Sequence, residues 1–272
     1  MAGMRTRFDW ANLANAGRNG AYRDNGYSPT KGTSIWETCP QLAALDPAVA
    51  IRYFEDFVAA SVDDTTGIPT TFAASGDHKT TIYPKVAGGV LSMECGNTDN
   101  DEFYLQLGSG ALHAPFIITD AGAKPLWFEC YAKAGQHADA GWFIGMAEEG
   151  CAAADFMTND DAILADKDLI GFHILTASPT AWDVVWKKAG QAQQAVLAQA
   201  VNADDYHRFG FVFDGASTVT FYIDRTAVAT VATTSAATFP SAQALAPIFG
   251  VKTGEAVTKT LLVDYIKVVQ IR

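Results

Sequence analysis

Apolar and polar residues alternate in short runs along most of the chain, and this period of two is typical of half-buried β-strands. The clearest runs are residues 102–107 (EFYLQL), 126–133 (LWFECYAK) and 207–214 (HRFGFVFD). The last run ends in the turn sequence Asp214-Gly215, and a fourth run follows at 218–224, which predicts an antiparallel hairpin. The chain is therefore predicted to be all-β.

Further runs of this kind extend over the rest of residues 53–272. They lie at 53–58, 80–83, 89–94, 141–147, 169–175, 182–187, 194–200, 227–232 and 261–271. About a dozen short strands with turn residues between them predict one sandwich of two antiparallel sheets. A hydrophobic fraction of 49% supplies the core of such a domain. The Ala-rich stretches 151–156 and 191–198 are short and predict helix only weakly.

Residues 1–52 follow neither the strand period nor the helix period. Isolated aromatic and basic residues lie there among Asn, Gly and Ser, and residues 40–52 predict a helical turn or two at most. Such a segment buries little of itself, so it is either a mobile tail or an arm that orders on a partner or on a neighbouring copy. Aromatic and Arg side chains are enriched at interfaces. The anchors predicted for an arm are Arg5, Arg7, Phe8, Trp10, Arg18, Tyr22 and Trp36.

The charge of the chain argues against two classes of partner. A net charge of -11 and a pI of about 4.8 describe a surface that repels nucleic-acid phosphates and anionic membranes. The first twenty residues lack the apolar core of a secretory signal, so synthesis in a cytoplasm is expected. Cys39, Cys95, Cys130 and Cys151 have no metal-ligand spacing and are expected to be reduced thiols.

Several of these segments form a pattern that goes beyond periodicity. A strand that reads aromatic-Glu-x-aromatic (127–133) precedes a Gly-rich strand (141–147), a later hairpin carries FYID (218–231), and the closing strand carries DYI (262–269). With the opening YFEDF, these segments resemble the laminin-G-like and concanavalin A-like jelly rolls over nearly all of residues 53–272. The resemblance implies an antiparallel two-sheet jelly-roll sandwich. Arg225 stands where that family usually has Gly, so a different turn is expected.

An irregular arm in front of a bare jelly roll resembles the virion proteins of tailed bacteriophages. The resemblance implies a structural protein, anchored by the arm, that decorates and stabilises the capsid. Its expected partners are the major capsid protein and sister copies of itself, and its expected location is the capsid surface of the virion. The alternative is a carbohydrate-binding module of a tail or adsorption structure. Trp142, Trp182 and Trp186 are candidates for its aromatic platform, although their strand positions also fit core packing.

The sequence contains no common catalytic pattern. Glycoside hydrolysis needs two carboxylates that face one cleft, and the glucanase branch of the resembled fold carries them as E-x-D-x-x-E or E-x-D-x-E. Neither string occurs: Glu129 stands alone on its strand, and Glu148 and Glu149 are adjacent, so they would point to opposite faces. No nucleophile elbow or phosphate-binding Gly pattern is present either. These absences predict a protein that is not an enzyme, with His173 and His207 in structural roles, and they leave a divergent glycosidase as a third and weaker possibility.

Calcium is the one metal that the sequence leaves open. Sandwich loops often supply its oxygen ligands, and two acidic stretches, 97–102 and 155–168, have suitable residue types without the spaced D-x-D-x-D-G pattern. The candidate ligands are Asp99, Asp101, Asp160 and Asp161. The same stretches also fit solvated loops that keep an acidic protein soluble. No other cofactor is expected.

Overall fold

A computed structural model describes residues 35–40, 46–57, 70–75, 78–82, 89–107, 115–118, 124–135, 139–153, 155–158, 164–175, 178–200, 205–233, 237–240 and 243–272. These residues form a short 3-10 helix at Ile35–Thr38 and sixteen strands. The strands are β1 (Ala50–Glu55), β2 (Thr70–Ser75), β3 (His78–Ile82), β4 (Leu91–Cys95), β5 (Glu102–Leu107), β6 (Phe116–Ile118), β7 (Leu126–Gly135), β8 (Ala140–Ala147), β9 (Leu169–Leu175), β10 (Ser178–Lys187), β11 (Gln194–Ala200), β12 (His207–Phe213), β13 (Thr218–Ile223), β14 (Thr226–Ala232), β15 (Gln243–Thr253) and β16 (Thr260–Ile271).

The strands pair into two sheets, and every pair is antiparallel. Sheet A has the order β14-β13-β12-β7-β16-β4-β3, with β1 also paired to β16. Sheet B has the order β11-β10-β9-β8-β15-β5-β2, with β6 also paired to β15. The prediction of an antiparallel two-sheet jelly-roll sandwich is confirmed. No helix within the described ranges is long and apolar enough to cross a membrane.

The inner faces of the two sheets supply the main core because alternate residues of each strand point inwards. Phe128 stacks on Phe211 with ring centroids 4.7 Å apart, and Trp182 contacts Phe209 at 4.4 Å. Trp142 and Trp182 are fully buried there, and Trp186 lies in the same cluster. The three tryptophans considered as a sugar platform are therefore core residues.

Some strands lie where the alternating pattern did not place them. β15 was missed because it is buried on both faces, so it reads as a nearly continuous apolar run instead of an alternation. It also contains Pro247, which lies where the second neighbour of β15 changes from β6 to β5. β1 begins at Ala50, inside the stretch where a helical turn was predicted, and β2 and β6 were not predicted.

The turn that the sequence predicted after β13 is formed by Asp224 and Arg225. Asp224 and Arg225 both have positive φ, 49° and 69°, which is the conformation of a tight hairpin turn between β13 and β14. Asp224 holds this turn because its carboxylate accepts hydrogen bonds from His207 Nδ1 at 2.6 Å and from the backbone N–H of Arg208 at 2.9 Å. His207 is thus a structural residue of the hairpin.

Candidate functional site

The outer face of sheet B is covered by the chain itself. The segment between β8 and β9, whose described residues are 148–153, 155–158 and 164–168, crosses this face and is called the covering loop below. Its Cys151, Phe156 and Leu164 pack with outward residues of the sheet such as Tyr104 and Phe143 into a second buried cluster. Phe156 meets both of those rings edge-on, at centroid distances of 5.4 and 5.2 Å.

A buried charge network ties the covering loop to sheet B. Lys252 Nζ donates to Glu102 Oε2 at 3.0 Å, to Asp155 Oδ1 at 3.2 Å and to the carbonyl oxygen of Met157 at 2.8 Å. The hydroxyl of Tyr104 donates to Glu102 Oε2 at 2.7 Å and accepts from the N–H of Met157 at 3.1 Å. Burial, and then the neighbouring Glu102 carboxylate, raise the pKa of Tyr104 well above its usual value.

This network brings two carboxylates to one ammonium group, which is an arrangement that could carry acid–base chemistry. The side chains of Lys252 and Glu102 are only 4% and 2% exposed. Three acceptors surround Nζ, and Glu102 Oε1 accepts the N–H of Asp155 at 2.7 Å. Because these hydrogen bonds occupy the buried groups, the geometry favours a tether for the covering loop over an open reactive centre.

A second tether fixes the other end of the covering loop. Lys187 Nζ donates to the carbonyl oxygen of Leu164 at 3.1 Å, and the N–H of Leu164 donates to Gln193 Oε1 at 2.8 Å. Gln193 Nε2 lies 3.3 Å from Nε2 of His173, which is buried on β9. Burial lowers the pKa of His173 to about 4, although the backbone of Asp183 acts in the opposite direction. The imidazole is therefore neutral at pH 7.

The low pKa of His173 predicts a measurable pH dependence of stability. Unfolding returns the imidazole to a pKa near 6.5, so the unfolded state binds one proton more than the folded state between about pH 4 and 6.5. Stability therefore falls as the pH drops through this window. We expect the stability advantage of the wild type over His173→Gln to shrink by about 2 kcal/mol between pH 7.5 and pH 5.

The pH dependence of stability must be compared between wild type and His173→Gln, because Asp168 makes the free energy of unfolding change with pH in the opposite direction. Burial, and then Glu148, raise its pKa to about 6, so its protonated form stabilises the folded state at low pH and this contribution is lost as the pH rises through 6. That contribution is common to wild type and His173→Gln and cancels in the difference. Urea unfolding of both proteins at pH 7.5 and pH 5 measures this difference in the free energy of unfolding. A difference that is independent of pH would mean that His173 binds its proton equally well in both states.

The outer face of sheet A carries a row of aromatic and basic side chains, called the tyrosine row below: Tyr131, Tyr206, Tyr265, Arg208 and Lys133. The ring of Tyr131 lies 5.1 Å from that of Tyr206 and 5.9 Å from that of Tyr265. The Arg208 guanidinium lies 5.2 Å from the ring centre of Tyr131, and Lys133 Nζ lies 6.0 Å from that of Tyr206. Each of these side chains is half-buried, so each keeps a surface open to solvent.

The row is a consequence of strand register. Tyr131 on β7 is directly opposite Arg208 on β12 and Tyr265 on β16. Side chains opposite each other on adjacent strands share a face. The hydroxyl of Tyr265 donates to Glu129 Oε1 at 2.7 Å, which fixes the ring of Tyr265 against the sheet. Rigid rings of this kind lose little conformational entropy when they bind a ligand.

A β-bulge in β16 adds a carboxylate to the row. The register of β16 against β7 shifts between Val263 and Tyr265, so Asp264 is an extra residue. Asp264 and Tyr265 are consecutive, and both are half-buried, between the buried Val263 and Ile266. At the same point the second neighbour of β16 changes from β4, paired up to Val263, to β1, paired from Ile266. The bulge therefore lies at a seam in sheet A.

Two acidic side chains at this seam interact electrostatically. Burial, and then the nearby Asp56 carboxylate, raise the pKa of Asp264, whereas Arg208 lowers it. Within the described residues neither Asp264 nor Asp56 makes a side-chain hydrogen bond or an ion pair. Phe54, 59% exposed, is directly opposite Lys267 at the β1 edge of the same face.

The predicted arm residues fall on both sides of the described boundary. Arg5, Arg7, Phe8, Trp10, Arg18 and Tyr22 lie outside the described residues. Trp36 lies on the outer face of sheet A of its own chain, with Lys267 Nζ 3.9 Å from its ring centre. Beside it, Trp127 Nε1 donates to Thr38 Oγ1 at 2.9 Å. The contact of Trp36 with another chain stays a prediction.

The predicted calcium ligands are only partly placed. Asp160 and Asp161 lie outside the described residues. Asp99 is exposed, and buried Asp101 accepts the N–H of Thr98 at 3.0 Å, closing the turn before β5. Across the described part of the chain, no three His, Cys, Asp or Glu residues form a group that could hold a metal ion. Calcium at this loop stays a prediction.

Sequence reasoning missed both sets of polar contacts. Lys252 is in β15, which was not predicted. Glu102 is in β5, which was predicted from the apolar residues of its inward face, whereas the Glu102 carboxylate lies on the outward face. The tyrosine row had a partial signal, because Tyr131 and Tyr265 occupy outward positions in predicted strands. Their proximity depends on the pairing of β7 with β16, which are separated by more than a hundred residues.

Comparisons with known proteins point to a shared fold. No family model matches the chain, and no curated protein matches it. The laminarinase catalytic domain from Thermotoga maritima MSB8 superposes with a TM-score of 0.56 at 13% identity, covering 80% of this chain and 96% of that one. The laminarinase from Rhodothermus marinus gives 0.55 at 13% identity, with 81% and 96% covered. A protein of unknown function from Shewanella oneidensis MR-1 gives 0.53 at 18% identity, with 82% and 87% covered.

These likenesses identify the fold as the concanavalin A-like jelly-roll sandwich, and several of the matching structures are carbohydrate-active proteins. They also correct one prediction. The chain was predicted not to be an enzyme because the carboxylate string of the glucanase branch is missing. The prediction is wrong, since the solved structures that share this sandwich include laminarinases and another member of glycoside hydrolase family 16. A missing local string does not remove a protein from a fold on which such enzymes are built.

Proposed function

We propose that this chain binds a glycan on the outer face of sheet A, with the tyrosine row as its platform. The observation that carries the proposal is the row itself: the rings of Tyr206 and Tyr265 each lie within 6 Å of the ring of Tyr131, and Arg208 and Lys133 flank them. Aromatic rings present flat apolar surfaces to the C–H faces of sugars, and the polar groups beside them bind hydroxyls.

The outer face of sheet B is buried by the covering loop, which supports the outer face of sheet A as the binding surface. The covering loop buries the outer face of sheet B under Phe156 and Leu164, and the Lys252 network holds it there. Carbohydrate-active proteins are among the structures that share the fold. Their names include laminarinase and mixed-linkage glucan enzymes, so β-glucans are the first ligands to test.

Glycan binding by the row predicts a selective loss in a single variant. Tyr131 is the central ring of the three, so Tyr131→Ala should weaken binding of the β-1,3-glucan laminarin about tenfold, which corresponds to about 1.4 kcal/mol for a lost stacking ring. Tyr222→Ala is the matched control, because Tyr222 is also a half-buried tyrosine of sheet A but has no place in the row. Isothermal titration calorimetry measures both.

The affinities of the two variants can be compared only if both proteins are folded. Thermal unfolding shows whether each retains a cooperative transition, and Tyr265→Phe supplies a milder change that keeps the ring and removes its hydrogen bond to Glu129. Equal affinity of wild type and Tyr131→Ala for laminarin would contradict the proposal. So would a loss of affinity that Tyr222→Ala reproduces.

A second candidate is a virion role, in which the chain decorates a capsid through residues 1–52 and packs against sister copies. The position of the 3-10 helix favours it. Ile35 packs so closely over Gly210 that a Cβ there would lie 2.9 Å from Ile35 Cδ1, and Trp36 and Thr38 contact the same face. The end of the predicted arm is thus fixed to sheet A, so a contact made by residues 1–34 would be transmitted to the sandwich.

Capsid decoration predicts co-sedimentation that depends on the arm. Full-length protein should pellet with capsids that lack it and should reach saturation, whereas protein that begins at Ile35, which keeps the 3-10 helix and all of β1, should stay in solution. The major capsid protein is the proposed partner, and the virion surface is the proposed location. Trp36→Ala in the full-length chain removes both a partner contact and the contact with Lys267, whereas Lys267→Met removes only the latter, so the two variants together separate the contacts. If neither full-length nor truncated protein pellets, the virion role is excluded.

A further inference from the structure

We infer that Asp264 is the residue that selects the ligand of the tyrosine row, and that it selects neutral glycans, whose hydroxyl groups it accepts, over acidic glycans. The inference rests on the proposed glycan binding and names the ligand class for that same surface. Its basis is the β-bulge of β16, which adds Asp264 beside Tyr265 at the seam between β1 and β4.

The carboxylate of Asp264 is available to accept hydrogen bonds from a ligand. Other acids on or near these sheets have hydrogen-bonding partners: Glu129 accepts the hydroxyl of Tyr265, and Asp224 accepts His207 and the N–H of Arg208. Asp264 has no such partner within the described residues, and neither does Asp56 beside it. A half-buried carboxylate without partners retains its full capacity to accept hydroxyl groups from a ligand.

The ionised carboxylate of Asp264 is unfavourable in the folded protein, yet the fold retains it. Burial and Asp56 both disfavour the ionised form of Asp264, and Arg208 only partly offsets them. A destabilising group on a rigid platform is typical of a binding residue, because strain of this kind is removed when the ligand supplies the missing hydrogen bonds.

The negative charge of Asp264 and Asp56 determines which class of glycan can bind beside them. A uronate polymer would bring its own carboxylates next to Asp264 and Asp56, on a chain of net charge -11, and like charges at short range repel. A neutral glycan brings hydroxyl donors instead. The cations of the row, Arg208 and Lys133, lie over the rings of Tyr131 and Tyr206, whereas Asp264 and Asp56 interact with each other at the seam, so a uronate bound at the seam meets negative groups.

The experiment measures binding of laminarin, which is neutral, and of alginate, a uronate polymer, by calorimetry and affinity electrophoresis. Wild type should bind laminarin and not alginate. Asp264→Asn should bind laminarin about tenfold more weakly, the loss expected for a hydrogen bond to a charged group. The double variant Asp264→Asn/Asp56→Asn should gain measurable alginate binding. Glu94→Gln, the same charge change at a half-buried residue of β4 in the same sheet, should match wild type.

A readout other than binding separates a ligand-selecting role from a structural one. Because the ionised carboxylate is unfavourable in the fold, Asp264→Asn should unfold at a temperature equal to or higher than wild type. A structural residue would lose stability and affinity together. Laminarin binding by Asp264→Asn equal to that of wild type would overturn the inference while leaving the tyrosine row in place. Absence of glycan binding in folded wild-type protein would instead remove the proposed function itself.

Discussion

Replacement of Lys252 by methionine is expected to destabilise the protein by about 3–5 kcal/mol, because it removes one partner of a buried ion pair and leaves the other uncompensated. Methionine fills a similar volume, so the loss is electrostatic and not a cavity effect. Glu102, with a side chain 2% exposed, would lose the one ammonium partner that it has among the described residues. The carbonyl oxygen of Met157 would lose a hydrogen bond of 2.8 Å as well.

Urea unfolding of Lys252→Met measures this loss, and two controls show where it comes from. The double variant Lys252→Met/Glu102→Gln should recover much of the stability, since the uncompensated charge is gone and the glutamine oxygen can still accept from Asp155. Lys124→Met changes an exposed lysine and should cost less than about 0.5 kcal/mol. If the double variant is less stable than Lys252→Met, the pair is not the source of the loss.

The same substitution should loosen the covering loop before the rest of the molecule unfolds. Lys252 Nζ is the donor that joins the loop, through Asp155 and Met157, to the sheet. Limited proteolysis of the folded Lys252→Met protein should therefore cut first within residues 148–168. An unchanged cleavage pattern would show that the remaining contacts, those of Phe156, Tyr104 and Lys187, hold the loop without Lys252.

Substitution of Gly145 by alanine is expected to have the second large effect, on the order of 3 kcal/mol or more, at the upper end of the cost of overpacking. Gly145 on β8 is directly opposite Gly171 on β9. A Cβ at Gly145 would lie 2.3 Å from the carbonyl oxygen of Ile170 and 2.7 Å from the Cα of Gly171. Both neighbours are backbone atoms of a central strand, so relief requires β8 and β9 to move apart.

The control for Gly145→Ala separates steric crowding from glycine's conformational freedom. Gly150→Ala also replaces a glycine, but at a φ of +80° with no atom within 4 Å of the added Cβ. It should cost only about 1 kcal/mol, the usual penalty of a left-handed residue with a side chain. Chemical unfolding of both variants gives the comparison. Equal losses would mean that crowding between β8 and β9 contributes nothing.

The two faces of the sandwich have different consequences for function. Sheet B is covered by its own loop through buried contacts, whereas sheet A presents half-buried aromatic rings and two carboxylates, Asp264 and Asp56, that make no side-chain hydrogen bond within the described residues. The 3-10 helix, Trp36 and Thr38 lie on that same face. If the arm anchors the protein on a particle, its attachment and the proposed glycan surface share one side of the sandwich, and binding at one can affect the other.

The sequence by itself determined the class of fold, because period-two alternation in strands such as β5, β12 and β13 is a local property of consecutive residues. It also indicated the hairpin at Asp224 and Arg225, where the turn chemistry lies within a few positions. Strands buried on both faces, such as β15, gave no alternation and were missed. The exclusion of enzymes failed for a related reason, since it rested on one local string within a fold that glucan-cleaving enzymes share.

Only the tertiary structure decided which side chains meet. Tyr131 and Tyr265, or Lys252 and Glu102, are brought together by strand pairings between residues more than a hundred positions apart, and many registers fit the same alternation. The bulge at Asp264 depends on a one-residue shift in such a register. The position of the candidate site was therefore not readable from the chain, because long-range pairing is fixed by the packing of the whole core and not by any single strand.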